Sequence, residues 1–188
     1  MINKALFFPD TSLVTPSVRA EGGFNSIKGE NYPYSVDYFL NHPSDGPLKE
    51  LLTLLLNTKS SIDLCMYVLS FPALADIIVQ LQEKAVDIRI IVDGREDEAL
   101  RSQVGRLSNR GIRIRQNEES FSILMHNKFA ILDGSLLLTG SFNWTKTAVL
   151  LNYDNILVTS QPTIVDQYQR QFDHLWSKFK PYRAKSKS

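Results

Sequence analysis

At 188 residues, 43% hydrophobic and 22% charged, the chain has room for one sizeable core and the composition of an ordinary globular domain. Twenty-one Lys and Arg against 20 Asp and Glu leave a formal net charge of +1, so any basic surface must come from local clustering. One cysteine, Cys65, excludes an intramolecular disulfide framework and a Cys-rich zinc site. Lying in the apolar run 62–68, it is expected as a small buried hydrophobe in a reducing compartment.

No stretch approaches the ~18 apolar residues needed to span a bilayer. Met1 to Pro9 holds too short an apolar core for a signal peptide. The chain as given is expected to be soluble, with an N-terminal anchor ahead of it left open.

In chain order, residues 5–8 read as a strand ended by Pro9. From 10 to 45 the periodicity dissolves among Pro16, Gly22, Gly23, Gly29, Pro33 and Pro43. A long irregular insertion is expected there, of the functional or disordered kind. Its Phe24, Tyr32, Tyr34, Tyr38 and Phe39 suit local packing, base stacking or insertion into a lipid surface. Beyond it, Leu48, Leu51, Leu52, Leu55 and Leu56 make a helical stripe with Pro47 in the first turn. Residues 61–68 form a buried strand. Ser70 is expected to cap a helix bearing Leu74, Ile77, Ile78, Leu81 and Ala85 on one face.

A strand at 87–92 precedes a helix from about 95 to 110, with Ala99, Leu100, Val104 and Leu107 inward and Gly111 past its C-terminus. Residues 112–115 make a short strand. Two longer strands, 122–132 and 136–140, flank the hairpin signal Asp133-Gly134. Another strand covers 155–159. Ile164, Tyr168, Phe172, Leu175, Trp176 and Phe179 form a closing amphipathic helix, with a frayed tail over 180–188. Strands alternating with helices, plus a hairpin, predict an α/β fold: one domain over 1–188, a mixed β-sheet flanked by helices on both faces.

The densest chemistry lies in His126-Asn127-Lys128-Phe129-Ala130-Ile131-Leu132-Asp133 and Gly140-Ser141-Phe142-Asn143, an H-x-K-x4-D-x6-G-S-x-N pattern. Six fixed letters at set offsets arise by chance about once in 10^7 to 10^8 windows. Residues two apart on a strand share a face, so His126 and Lys128 are expected side by side. The hairpin brings Ser141 and Asn143 near them. Lysine supplies charge to phosphate oxygens, and the serine and asparagine supply directed hydrogen bonds. An imidazole with an unperturbed pKa of ~6.5 serves as nucleophile, base or acid near neutrality.

This pattern resembles the signature of the phospholipase D superfamily of phosphodiesterases. The residues 126–133 and 140–145 are most similar to its mitochondrial cardiolipin hydrolase/Zucchini branch, with a fold to match. The resemblance implies two H-x-K motifs per active site, and this chain has one. His42 and His174 have no Lys two residues on and read as structural. A homodimer is therefore expected, with one His126 attacking phosphorus and the other serving as acid and then base. Lys128 and Asn143 would hold the phosphate, with Ser141 assisting. Asp133 is expected to fix the turn. Neither a metal nor a cofactor is implied.

Asp154 stands where the family usually has a Glu that orients the histidine, and the Cys-rich zinc insertion of many relatives is missing. Arg101, Arg106, Arg110, Arg113 and Arg115, joined by Arg89 and Arg95, make a basic concentration. It reads either as a solvated face or as a groove tracking a polyanion. That cluster tips the expected substrate toward single-stranded RNA, as in a piRNA-biogenesis endonuclease. An anionic phospholipid such as cardiolipin follows closely, and a catalytically silent RNA- or membrane-binding dimer is the third reading. By resemblance the site of action is the cytosolic face of the mitochondrial outer membrane if an anchor precedes the chain, and otherwise the cytoplasm.

Overall fold

The computed structural model describes residues 1–13, 35–43, 45–94, 103–118 and 122–183. Among these, strands β1 (Asn3–Phe7), β2 (Ser61–Met66), β3 (Asp87–Asp93), β4 (Arg113–Asn117), β5 (Lys128–Leu132), β6 (Leu136–Gly140), β7 (Asn155–Thr159) and β8 (Lys180–Pro181) form one sheet. Its order is β1-β7-β6-β5-β2-β3-β4-β8. β2, β3 and β4 run parallel, and every other pairing is antiparallel. The helices are α1 (Val36–Asn41), α2 (Pro47–Leu56), α3 (Pro72–Glu83), α4 (Val104–Asn109), α5 (Lys146–Leu150) and α6 (Pro162–Lys178).

Both faces of the sheet are covered, as the alternation of strand and helix predicts. Leu64, Ile90, Ala130, Leu138 and Val158 pack with Leu52, Leu74, Ile78, Leu107 and Val149 of the helices preceding α6. On the reverse face, Cys65, Ile91, Phe129, Ile131 and Leu137 meet Val165, Phe172 and Leu175 of α6. Central strands sandwiched this way must be apolar in both phases, which is why β2 reads as a continuous hydrophobic run. Cys65 is fully buried, and burial pushes its thiol far above the ordinary value. It is structural.

The sequence misplaces four local features. Within the expected irregular insertion, α1 forms because Ser35 accepts the Tyr38 N–H at 3.2 Å and Val36 and Phe39 enter the core. Phe24, Tyr32 and Tyr34 lie outside the described residues. Ser70 does not cap α3. With Pro72 at the first helical position the cap falls on Phe71, and both Ser70 and Phe71 N–H donate to Trp144 O at 2.9 Å. Ala85, placed on the helix face by periodicity, is instead left-handed (φ 61°) just beyond the helix end. Finally, residues 180–182 are not frayed. β8 pairs with β4, and Arg115 donates to the carbonyls of Trp176 and Phe179.

β5 also begins later than expected, at Lys128. The preceding loop carries the apolar run Ile123-Leu124-Met125, which reads as strand, but it is held by side chains. Asp93 accepts the Met125 N–H at 2.9 Å, and the Asn117 amide donates to Ile123 O at 2.8 Å. The expected helix over 95–110 is described only as α4, with Gly111 left-handed (φ 81°) beyond it. Ala99 and Leu100 lie outside the described residues.

The β5–β6 hairpin turns on Asp133 (φ 52°) and Gly134 (φ 60°), both left-handed as a two-residue turn of this twist requires. The Asp133 carboxylate reaches further than the turn: it accepts the backbone N–H groups of Lys59, Ser60 and Ser61 at 2.7–3.1 Å, and the Ser60 hydroxyl. Partial burial pushes this carboxyl up, but those donors together hold it below the usual carboxylate range. The resulting stability is complete above the unfolded carboxylate pKa of ~3.9 and is lost as pH falls through the lower folded value. Asp133→Ala is expected to cost about 1–3 kcal/mol in urea unfolding at neutral pH, and much less at about pH 2.

Candidate active site

Strand direction collects the motif at one end of the sheet. β2, β3, β4, β6 and β1 end there, while β5 and β7 begin there, as the pairs Met66↔Lys128, Asp93↔Asn117, Gly140↔Ile156 and Phe7↔Asn155 require. In open sheets of this kind the carboxyl ends of the parallel strands are where ligands bind. Asp133 sits at the opposite end of β5, roughly 16 Å away at ~3.3 Å per residue.

His126 is exposed on the loop before β5, and Lys128 is half-buried at its start. Lys128 shares the strand phase of Ala130 and Leu132, so it projects on the α1–α5 face. Its ammonium donates to His126 O at 2.8 Å and lies 3.3 Å from Nδ1 and 3.4 Å from Nε2 of the same histidine. An ammonium only donates, so a hydrogen bond to either ring nitrogen requires the tautomer that leaves that nitrogen its lone pair. Burial pushes the Lys128 ammonium below its ordinary value, and the charge of Asp154 partly opposes this.

The G-S-x-N segment is built to pass across the end of β5. Gly140 approaches β7 so closely that a Cβ would stand 2.0 Å from Asn155 O. That contact explains the glycine. Ser141 Oγ donates to Asp154 Oδ1 at 2.7 Å and accepts the Asn155 N–H at 3.1 Å. The chain then crosses to the far side of β5, where Trp144 N–H donates to Val68 O at 3.1 Å and Thr145 caps α5. Along this crossing, the amide oxygen of Asn143 is buried with no hydrogen-bond partner among the described residues. A buried acceptor left open in this way marks a place where an incoming group is needed.

The structure thus places His126, Lys128, Ser141, Asn143 and Asp154 at one end of the sheet, and Asp133 at the other. Asp154 takes its bond from Ser141, which ties the G-S-x-N turn to the residue that supports the charge on Lys128. Sequence reading missed two contributors. Tyr67, directly after β2, places its ring 4.5 Å from that of His126 and 5.0 Å below Lys128 Nζ. Asp93, 3% exposed, anchors Met125, the residue before His126. A carboxylate closing the run Ile90-Ile91-Val92-Asp93-Gly94 was the available signal for Asp93. Tyr67 had none.

The arginines are engaged elsewhere. Arg106 pairs with Asp76 at 2.7 Å, Arg110 with Glu83 at 3.5 Å, Arg113 with Asp87, and Arg89 with Asp63 at 2.6 Å. Arg115 holds the end of α6 and stacks on Trp176 at 4.9 Å. β4, which carries Arg113 and Arg115, stands three places from β5 in the sheet. Arg95 and Arg101 lie outside the described residues. His42 ends α1 beside Tyr38, and His174 is exposed on α6, both apart from the motif.

A family model described as cardiolipin synthase, PLD-like domain, matches residues 51–176. A Chlamydomonas reinhardtii protein named mitochondrial cardiolipin hydrolase is 36% identical over 177 residues, covering 94% of this chain and 74% of its own length. The human protein of that name is 32% identical over 179 residues, covering 95% and 68%. Among solved structures, Nuc from Salmonella typhimurium, titled a phospholipase D family member, superposes with a TM-score of 0.66 at 25% identity, over 76% of this chain and 94% of that one. NucT from Helicobacter pylori shares the fold at a TM-score of 0.65 and 15% identity, over 96% and 99%.

Proposed function

Since the chain belongs to the phospholipase D superfamily of phosphodiester-cleaving enzymes, we propose that it hydrolyses a phospholipid of the cardiolipin type through a phosphohistidine, at an interface between two copies of itself. The observation that carries the chemistry is the Lys128 ammonium set against both ring nitrogens of a histidine that occurs in one H-x-K motif per chain.

A twofold axis at this end of the sheet supplies the second imidazole. One His126 nitrogen attacks phosphorus; the N–P bond forms as the bond to the leaving oxygen breaks. That oxygen takes its proton from the partner's His126. The now neutral second imidazole deprotonates a water, whose oxygen attacks phosphorus and breaks the N–P bond. The first imidazole is regenerated and the phosphomonoester released. Lys128 and the amide of Asn143 meet the non-bridging oxygens as charge builds on them.

Two observations favour a lipid. The relatives are named as cardiolipin hydrolases, and four of the arginines that suited a polyanion, Arg89, Arg106, Arg110 and Arg113, are paired with acids within the fold. At the β1 edge of the sheet, on the face opposite Lys128, Phe7 (70% exposed) and Leu157 (43%) project together from the β1–β7 pair, and Tyr153 (94%) directly precedes Asp154. Such an apolar rim suits acyl chains at a membrane surface. Among the described residues no helix is long and apolar enough to cross a membrane. We assign the site of action to a mitochondrial membrane surface on the names of the relatives. Single-stranded RNA is the second reading, favoured by Tyr153, whose exposed ring beside Asp154 offers a platform for a base.

The deciding measurement incubates the protein with cardiolipin liposomes and with labelled single-stranded RNA, each with and without chelator. Phosphatidic acid release that survives chelation is the expected result. RNA cleavage alone would transfer the assignment to the second reading. Loss of all turnover on chelation would overturn the histidine mechanism.

A further inference from the structure

Neither the family motif nor the proposed chemistry assigns a role to Tyr67. Its backbone N–H donates to Asn127 O at 3.1 Å, clamping the end of β2 to the residue between His126 and Lys128. Its half-buried ring contacts the two functional groups together. The imidazole of His126 lies with its centroid 4.5 Å away at 54°, and Lys128 Nζ stands 5.0 Å from the phenol centroid. His126 is carried by an exposed loop and Lys128 by a flexible four-carbon stem; the bond from Lys128 Nζ to His126 O ties the ammonium to the backbone and leaves the rotation of the imidazole ring unset.

We propose that Tyr67 is a positioning residue that sets the nucleophilic imidazole and the phosphate-binding ammonium at a fixed separation by holding both against one aromatic ring. The ring attracts the ammonium electrostatically through its π face, and it gives the imidazole a flat wall that limits rotation. Both effects belong to the ring and not to the hydroxyl. The groups facing Lys128 are His126 from the loop before β5, Asp154 from the turn before β7, and this phenol. Tyr67 thus contacts both His126 and Lys128 from outside the H-x-K segment.

The inference rests on the proposed hydrolysis, and its test separates the two. Wild type, Tyr67→Phe and Tyr67→Leu are compared for kcat, KM and the pH dependence of kcat/KM on whichever substrate is turned over. Tyr67→Phe is expected to stay within about twofold of wild type. Tyr67→Leu is expected to lose about ten- to a hundredfold in kcat, with a smaller change in KM. Without the π face the ammonium loses its proton more readily, so the alkaline limb of the Leu profile moves to lower pH.

In parallel, the His126 ring resonances are followed by NMR without substrate. Their ring-current shifts persist in the Phe variant and vanish in the Leu variant. A Leu variant with wild-type kcat and pH profile overturns the proposal, as do His126 resonances unchanged between wild type and Leu. If wild type turns over neither substrate, the hydrolysis reading fails while the NMR comparison still decides on Tyr67. Should the Leu variant fall in Tm, Tyr67→Met carries the same comparison.

Discussion

Replacing His126 with alanine is expected to lower kcat by at least about 10^4-fold, because the substitution removes the nucleophile and the general acid from one site. The size of the loss follows from the twofold arrangement. In a site built from one chain, a single substitution leaves a second histidine in place. In the proposed dimer both imidazoles are the same residue, and both disappear. His126 is exposed on a loop, so the variant is expected to unfold close to the wild-type temperature.

Mixed dimers sharpen that expectation. When equal amounts of wild-type and His126→Ala subunits are equilibrated, about one quarter of the dimers hold two imidazoles. Activity should fall to that fraction and not to one half. A linear decline with the fraction of variant would show that each subunit works alone, and would remove the dimer from the mechanism. Sedimentation of the wild type at the assay concentration should give the mass of two chains.

Lys128→Met carries the second largest expected loss, about 10^3-fold in kcat/KM. The side chain keeps its length and its contact with Tyr67 but brings no charge to the phosphate. Lys128→Arg restores charge, with planar geometry and a larger head, and should recover only part of the rate. The pH profile separates these effects. Burial pushes the Lys128 ammonium below its ordinary value and Asp154 partly opposes this. Activity that needs the charged form therefore fades, as pH rises, earlier than a free lysine's ~10.4 would allow. Asp154→Asn removes the opposing charge, so Lys128 loses its proton at still lower pH and the alkaline limb moves further to the acid side. In Lys128→Arg the limb belonging to this residue should be gone, because a guanidinium does not titrate there.

Most of the architecture was legible because it is repetitive. Leu48, Leu51, Leu52 and Leu55 announce α2, and Leu74, Ile77, Ile78 and Leu81 announce α3, through the same period that buries them. The hairpin was legible because few dipeptides tolerate two successive left-handed residues. What escaped depends on contacts distant in sequence. β8 exists because Arg115 reaches the carbonyls of Trp176 and Phe179, and nothing near Lys180 reports that. Segment 122–127 carries the apolar run Ile123-Leu124-Met125 expected of a strand, yet Asp93 and Asn117 supply its bonds from two other strands.

The site divides in the same way. His126, Lys128, Ser141 and Asn143 stand out because their types and spacing recur together. Tyr67 is a single aromatic at the end of an apolar strand and carries no such mark. The arginines are the converse case. Arg113 and Arg89 sit on neighbouring strands opposite acids that the sequence lists 26 residues earlier, at Asp87 and Asp63. Counted along the chain they are a basic run, but in the sheet they are neutralised.

The distance between Lys128 and Asp133 has a consequence for the motif itself. The four residues between them are the body of β5, and the two ends answer to different duties. Lysine must emerge on the α1–α5 face at one rim, and aspartate must meet the start of β2 at the other. Inserting or removing one residue would turn one of the two to the wrong face, since side chains alternate with a period of two. The x4 of the pattern is therefore a ruler cut to the width of the sheet. It is kept in register by a turn that never meets the substrate.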